Sequence, residues 1–258
     1  MGGYDRGVVT MVAQVLALAL GLGLAALWPR DPRPILTRDS LINVVTGGLL
    51  YALKLGIGVT GIFVLGVGRF SIPIPNPWVQ ALLAFVVIDF ARYWLHRAHH
   101  RVRPLWFFHR VHHSLRSLDS TAGFRMHVVD FLQLAVLPVL IFGVLLDTSR
   151  WEPWVIPLAM VPGILADALE HANLRWPAGL DPRWRYVYNN PLFHSWHHVR
   201  DAELCDGNYA NALPVWDLLF GTDVSQAAPP ALYGLIDAKD VANDVVGLQL
   251  LRQPAATA

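Results

Sequence analysis

DFARYWLHRAHHRVRPLWFFHRVHHS, residues 89–114, is the stretch on which the reading of this chain turns, because it holds two histidine boxes, HRAHH and HRVHH. Working outward, a third box, HSWHH, follows at residues 194–198. Histidines spaced i, i+3 and i+4 on a helix share one face. His96 with His100, His109 with His112 and His113, and His194 with His197 and His198 are therefore each expected to present imidazoles to a common point. The other three of the 11 histidines, His99, His127 and His171, lie in the same region, so none stands before 96 or after 198. Clustering of this kind reads as a metal site.

The setting is a membrane. Hydrophobic residues make up 54% of the chain and charged residues 15%, a balance outside the range of ordinary soluble domains. Five apolar runs approach the ~20 residues that a spanning helix needs: Gly7–Trp28, Leu41–Val67, Trp78–Leu95, Val128–Leu146 and Trp154–Leu169, the last two also readable as a re-entrant hairpin. The first run is too long for a signal-peptide core and lacks a clear cleavage site, so it reads as a retained anchor. With five spans, 16 of the lysines and arginines fall on one side and Arg6, Arg69 and Arg150 on the other, which puts the boxes in the cytoplasm and the amino terminus outside. Lys54 lies within a span, where it snorkels or faces the bundle interior. The expected fold is an all-α integral membrane bundle of four or five spanning helices with a histidine-rich helical cap. It forms a single membrane domain (1–258) with a catalytic region at 78–223 and a soluble tail at 224–258. Arginine outnumbers lysine 18 to 2, which points to a bacterial source and hence an inner membrane.

A net charge of +1 argues against nucleic acid as a partner. Cys205 is the only cysteine, so there is no thiolate cluster and any metal is held by nitrogen and oxygen. Neutral imidazole suits zinc, copper, iron and nickel. Eight box histidines, or ten with His127 and His171, supply enough donors for a binuclear centre. Such a centre at a membrane edge suits dioxygen activation against an apolar C–H bond better than hydrolysis. Asp89, Asp130, Asp167, Glu170 and Asp201 are placed to accept the proton on the outer ring nitrogen of a ligating histidine; the alternative partner for Asp89 is Arg92. Trp94, Trp106, Phe107, Phe108, Trp196 and Trp216 line a substrate mouth or form an interfacial belt.

These residues also carry a resemblance. DFARYWLHRAHH, LWFFHRVHHS, EHANLRW, LFHSWHHVRD and NYANALPVWDLLFGT resemble the fatty acid hydroxylase superfamily, in its bacterial sterol desaturase-like branch, from Asp89 to about Asp223. The family's HxxxH, HxxHH and HxxHH pattern falls on His96 and His100, on His109, His112 and His113, and on His194, His197 and His198. The resemblance implies catalysis by those eight, with His171 and His127 as further ligands. It further implies two iron ions (zinc as a substitute), O2 as co-substrate and a membrane lipid substrate. Electrons would come from a separate ferredoxin or cytochrome b5-like carrier with an NAD(P)H reductase. This chain departs from the pattern at Val128 and Asp130, where the family often has Pro and Glu, and at Ala210, where NYG is usual. A histidine-rich metal transporter or sensor, a bis-histidine haem protein, and a family member acting on aldehydes or ether lipids are the competing readings.

Overall fold

The computed structural model describes residues 6–56, 68–177, 184–201, 204–236 and 241–254. Arg183, Lys239 and the end of the second apolar run, 57–67, lie outside the described residues. The nine α-helices described are α1 (Arg6–Leu27), α2 (Arg38–Gly56), α3 (Pro77–Arg101), α4 (Arg103–His109), α5 (Val128–Val139), α6 (Val155–Glu170), α7 (Pro191–His197), α8 (Val215–Phe220) and α9 (Val245–Leu250).

Local chemistry sets the helix ends. Asn76 accepts from the Trp78 and Val79 amides with Pro77 at the first position of α3, and Asn190 does the same for Leu192 and Phe193 ahead of Pro191 in α7. Each cap contributes about 1 kcal/mol. Pro138 near the end of α5 is followed by a π-helical turn, Leu140–Leu145, closed by a Leu146 amide to Ile141 carbonyl bond of 2.8 Å. α1 and α3 both pack on α6. Close approach of α1 needs Gly21, where a Cβ would lie 3.0 Å from the Ala168 carbonyl oxygen. Ala84, Ile88, Phe142, Ile156 and Ala159 fill the space between α3, the π turn and α6.

Among the described residues, three helical stretches are long and apolar enough to cross a membrane: Val9–Leu27, Pro77–Arg101 and Val128–Leu145. That is fewer than the five spans expected. α6 has 16 residues, about 24 Å at 1.5 Å per residue, short of a ~30 Å hydrocarbon core. α2 carries Arg38, Asp39 and Lys54 within its 19 described residues, which lowers its apolarity.

Residues expected to form a soluble tail pack on the histidine-bearing end. Leu235, Val241 and Leu248 join Ile42 and Val111 in one cluster. Val128 donates its amide to Gln249 Oε1 and Gln249 Nε2 donates to the Met126 carbonyl, both at 2.8 Å. The buried Arg125 donates to Asn243 Oδ1 at 3.0 Å.

Candidate metal centre

Nine histidines converge at the end of the bundle formed by the last turn of α3, α4, the 3-10 turn His112–Ser114, the end of α6 and α7. They form two groups. His96, His100, His109, His113 and His197 make one, and His112, His171, His194 and His198 the other; within each, one ligand atom per residue lies within 4.8 Å of all the others. The groups are neighbours, since the His113 ring stacks on that of His198 with centroids 4.5 Å apart, and His194 and His197 rings are 5.0 Å apart.

The second and third boxes therefore do not each serve one point, although His96 and His100 of the first do. His109 and His113 turn to the first group and His112 to the second; His194 and His198 turn to the second and His197 to the first. Residues four apart share a face, whereas an adjacent residue points about 100° away on a helix of 3.6 residues per turn. In the second box α4 ends at His109 and the chain tightens into a 3-10 turn, which separates His112 from His113 further.

Outer ring nitrogens establish which inner ones carry lone pairs. His96 Nδ1 donates to the Tyr209 carbonyl at 2.8 Å, His197 Nδ1 to that of Gly207 at 2.8 Å, His171 Nδ1 to that of Asp167 at 2.8 Å, and His109 Nδ1 to Asp130 Oδ2 at 2.9 Å. With the proton on Nδ1, each Nε2 is an acceptor. Yet His96 Nε2 faces His109 Nε2 at 3.1 Å. In the second group His171 Nε2 lies 3.1–3.2 Å from the Nε2 atoms of His112, His194 and His198. Among the described residues, the buried Nε2 atoms of His197, His113 and His100 find no hydrogen-bond partner. Lone pairs turned on one another in a dry site call for a shared cation. Nitrogens bound at ~2.0–2.1 Å to one tetrahedral ion stand roughly 3.3 Å apart, close to the spacing found, so the donor set fits a pair of metal ions.

Burial disfavours the charged form of an imidazole, and ligation requires the neutral one. It drives His112, His113, His194 and His198 well below the ordinary imidazole value, with repulsion among the histidines adding to it. His197 is lowered by burial to about 3. For such a group the unfolded chain binds more protons below about 6.5, so stability is present above that value and is lost as pH falls toward the folded pKa. The metal-free protein is expected to lose about 1.4 kcal/mol per pH unit for each such imidazole below pH ~6.5, and the loaded protein to release metal over the same range. Thermal unfolding and metal retention measured from pH 7.5 to 5 check this; a flat profile contradicts it.

The expected carboxylates divide. Asp130 takes His109 on Oδ2, while its Oδ1 stands 3.2 Å from His99 Nδ1 without a hydrogen bond among the described residues. Glu170 is 3.7 Å from Nδ1 of both His171 and His194 and accepts from Asn189 at 2.5 Å. Asp89 touches no histidine, nor is it paired with Arg92: it accepts from the Ala212 and Leu213 amides and Trp216 Nε1, pinning the 212–216 turn against α3. The Asp167 carboxylate pairs with Arg92 at 2.9 Å, and only its carbonyl reaches His171. Asp201 is exposed, accepts from the Leu204 amide, and lies outside both groups. His127 is brought to neither group; its Nδ1 caps α5 through the Val129 amide and its Nε2 meets the Gln249 carbonyl at 2.9 Å.

Sequence reasoning did not single out the carbonyls of Gly207 and Tyr209, nor Asp206, 3.4 Å from His100 Nδ1. Gly207 fits its place because a Cβ would meet the Thr222 carbonyl at 2.6 Å. The loop is held by buried Asp217, which accepts from the Tyr209 and Ala210 amides and from the Thr222 hydroxyl; burial pushes its pKa up to about 7 against those three donors. His99 donates from Nε2 to Gln133 Oε1 at 2.6 Å.

Beside the centre lies a cavity of about 150 Å³ between α1, α2, α3, α5 and α6. Leu18, Leu50, Ile88, Phe131, Leu134 and Met160 line its middle. One end is closed by Asp167 and Gly123, where a Cβ would stand 4.0 Å from His171 Nδ1.

The model of the fatty acid hydroxylase family matches residues 81–222. Alkylglycerol monooxygenase of Xenopus tropicalis is 28% identical over 173 residues, 64% of this chain and 34% of that protein. Ornithine lipid hydroxylase of Rhizobium tropici is 30% identical over 57% of this chain and 44% of its own length, and methylsterol monooxygenase 2-2 of Arabidopsis thaliana is 29% identical over 60% and 57%. The chain thus spans about a third to just over half the length of these curated relatives. No solved structure matches it. With more than half of its 258 residues matched by the family model, and with every box histidine placed in one of two facing groups among apolar helices, the chain is a membrane protein belonging to the fatty acid hydroxylase family.

Proposed function

We propose that this chain is an O2-dependent hydroxylase or desaturase of a membrane lipid, built on two iron ions. The observation that carries the reading is the convergence of nine imidazoles, eight of them buried, in two adjoining groups beside a largely apolar cavity among the helices. His96, His100, His109, His113 and His197 hold one ion, and His112, His171, His194 and His198 the other. Zinc takes the same nitrogens as a substitute. Bound iron supplies the reductive activation of O2, in which two external electrons and two protons accompany insertion of one oxygen into a C–H bond and loss of the other as water.

The protein's own contribution is orientation and exclusion of water. Asp130 and the carbonyls of Asp167, Gly207 and Tyr209 fix the tautomer of four ligands, so that each Nε2 stays free for metal. An alkyl chain in the cavity would reach Asp167 and Gly123, beside the outer nitrogen of His171. Electrons arrive from a separate ferredoxin or cytochrome b5-like carrier with an NAD(P)H reductase. The arginine distribution supports a cytoplasmic centre in a bacterial inner membrane, with the amino terminus outside.

The test is iron content and lipid oxidation by detergent-purified protein. About two irons per chain are expected, falling in His109→Ala and His198→Ala and retained in His127→Ala, whose ring is engaged elsewhere. A haem, or a metal content indifferent to the first two substitutions, overturns the reading.

A further inference from the structure

The cavity has a second polar end, opposite the histidines. There Lys54 of α2 lines the space with Tyr51 and Gln14, whose side chains are joined by a hydrogen bond from Gln14 Nε2 to the Tyr51 hydroxyl. The ammonium lies 5.7 Å from the centroid of the Tyr51 ring. Tyr51 is one turn nearer the histidine-bearing end of α2, so Lys54 folds back along the cavity wall. A lysine that snorkelled to the far membrane surface would extend the other way. Asp167 is the one carboxylate among the described lining residues, and it is already matched by Arg92 and Asn211. Lys54 thus puts a cation, without an acidic partner among the described residues, into a space whose middle is hydrocarbon. An intramembrane charge left in that state is costly unless a ligand answers it.

From this juxtaposition we infer that the cavity binds a single-chain amphiphile with an anionic head, its carboxylate or phosphate on Lys54 and its alkyl chain running toward the histidines. Gln14 and the Tyr51 hydroxyl lie beside that head as polar neighbours, and Lys54 is a specificity-determining residue. Along α2, Lys54 stands seven residues from Gly47, on the order of 10 Å. Gly47 packs directly on Phe124, next to Gly123 and His171. A chain anchored at Lys54 therefore offers an internal methylene, several carbons from the head, to the metal centre. This deepens the proposed lipid-oxidising function and rests on it for the fate of that methylene, while the head site stands on the cavity alone.

The test is equilibrium displacement of the fluorescent fatty acid cis-parinaric acid from the iron-loaded protein in an uncharged detergent. Competitors are dodecanoate, dodecyl phosphate, dodecanol and 1-O-dodecylglycerol, and iron content is measured on the same samples. Wild type is expected to prefer one or both anions over the neutral pair by about tenfold or more, the size of a hydrogen bond to a charged group; the order of the two anions identifies the head. Lys54→Met removes the preference and Lys54→Arg keeps it, with iron content unchanged in both. Equal binding of dodecanol and dodecanoate by wild type, or an anion preference that survives Lys54→Met, overturns the inference. Anion preference in a chain that binds no iron overturns the oxygenase reading instead and leaves the head site intact.

Discussion

His112→Ala and His113→Ala, substitutions at adjacent positions, are expected to deplete different metal ions. His113 stands in the five-histidine group and His112 in the four-histidine group, so each variant retains about one iron of two. Each loses lipid oxidation by roughly 100-fold or more, at least the effect seen when a mere supporting partner of a metal ligand is removed. The same contrast holds on α7 for His197→Ala against His194→Ala. The two sets are then distinguishable by spectroscopy. His112→Ala and His194→Ala share one residual signature, that of the ion held by His96, His100, His109, His113 and His197; His113→Ala and His197→Ala share the other. If one variant of a neighbouring pair empties both sites and its partner empties neither, the division into two groups is wrong. A loss of folding is separable from a loss of metal. Near-neutral pH these buried rings accept no proton, and the smaller alanine leaves a cavity whose cost shows in thermal unfolding of the metal-free chain.

What the sequence made legible was chemistry of residue type and spacing. Three boxes confined to one region, apolar runs around them and a lone cysteine left little besides a histidine-held metal site in a membrane, and the structure brings all eight box histidines and His171 together. Spacing could not show which ring joins which ion, because that depends on where α4 stops and a 3-10 turn begins between His109 and His112. Nor does any side-chain type mark a main-chain carbonyl as the partner of a ligand. The NYA motif at 208–210 marked the loop that orients His96 and His197, where Asn208 is left-handed (φ 53°), but not that the Gly207 and Tyr209 carbonyls do the orienting. Carboxylates were over-read for the same reason. Asp89 sits two turns from His96 on α3, yet it is spent on three donors of the 212–216 turn. His127 precedes a helix and was spent as its cap. The polar, alanine-rich end of the chain carried no sign that Leu248, fully buried, would pack beneath the second box.

Removal of Asp130 is expected to do more damage than removal of any other supporting side chain. Its carboxylate is buried at the start of α5, accepts from His109 at 2.9 Å and stands 3.2 Å from His99. In Asp130→Ala the His109 Nδ1–H loses its acceptor in a site that admits little water. That unsatisfied donor costs about 1–3 kcal/mol, a sizeable part of the stability of an ordinary fold. His109 is also freed to put its proton on Nε2, the nitrogen that faces His96, and affinity for that ion falls by about 10–100-fold. Asp130→Asn separates the two effects, because an amide keeps the volume but accepts from His109 through a neutral oxygen, a weaker hold on its tautomer than a carboxylate. It should unfold close to the wild-type temperature while binding the first ion weakly and the second normally. Asp89→Asn is the control, since it too removes a buried charge that accepts from three donors yet touches no histidine; stability drops there and iron content does not. Metal titration followed beside thermal unfolding for the three variants decides the matter, and normal iron affinity in Asp130→Asn would show that the His109 tautomer is set by something else.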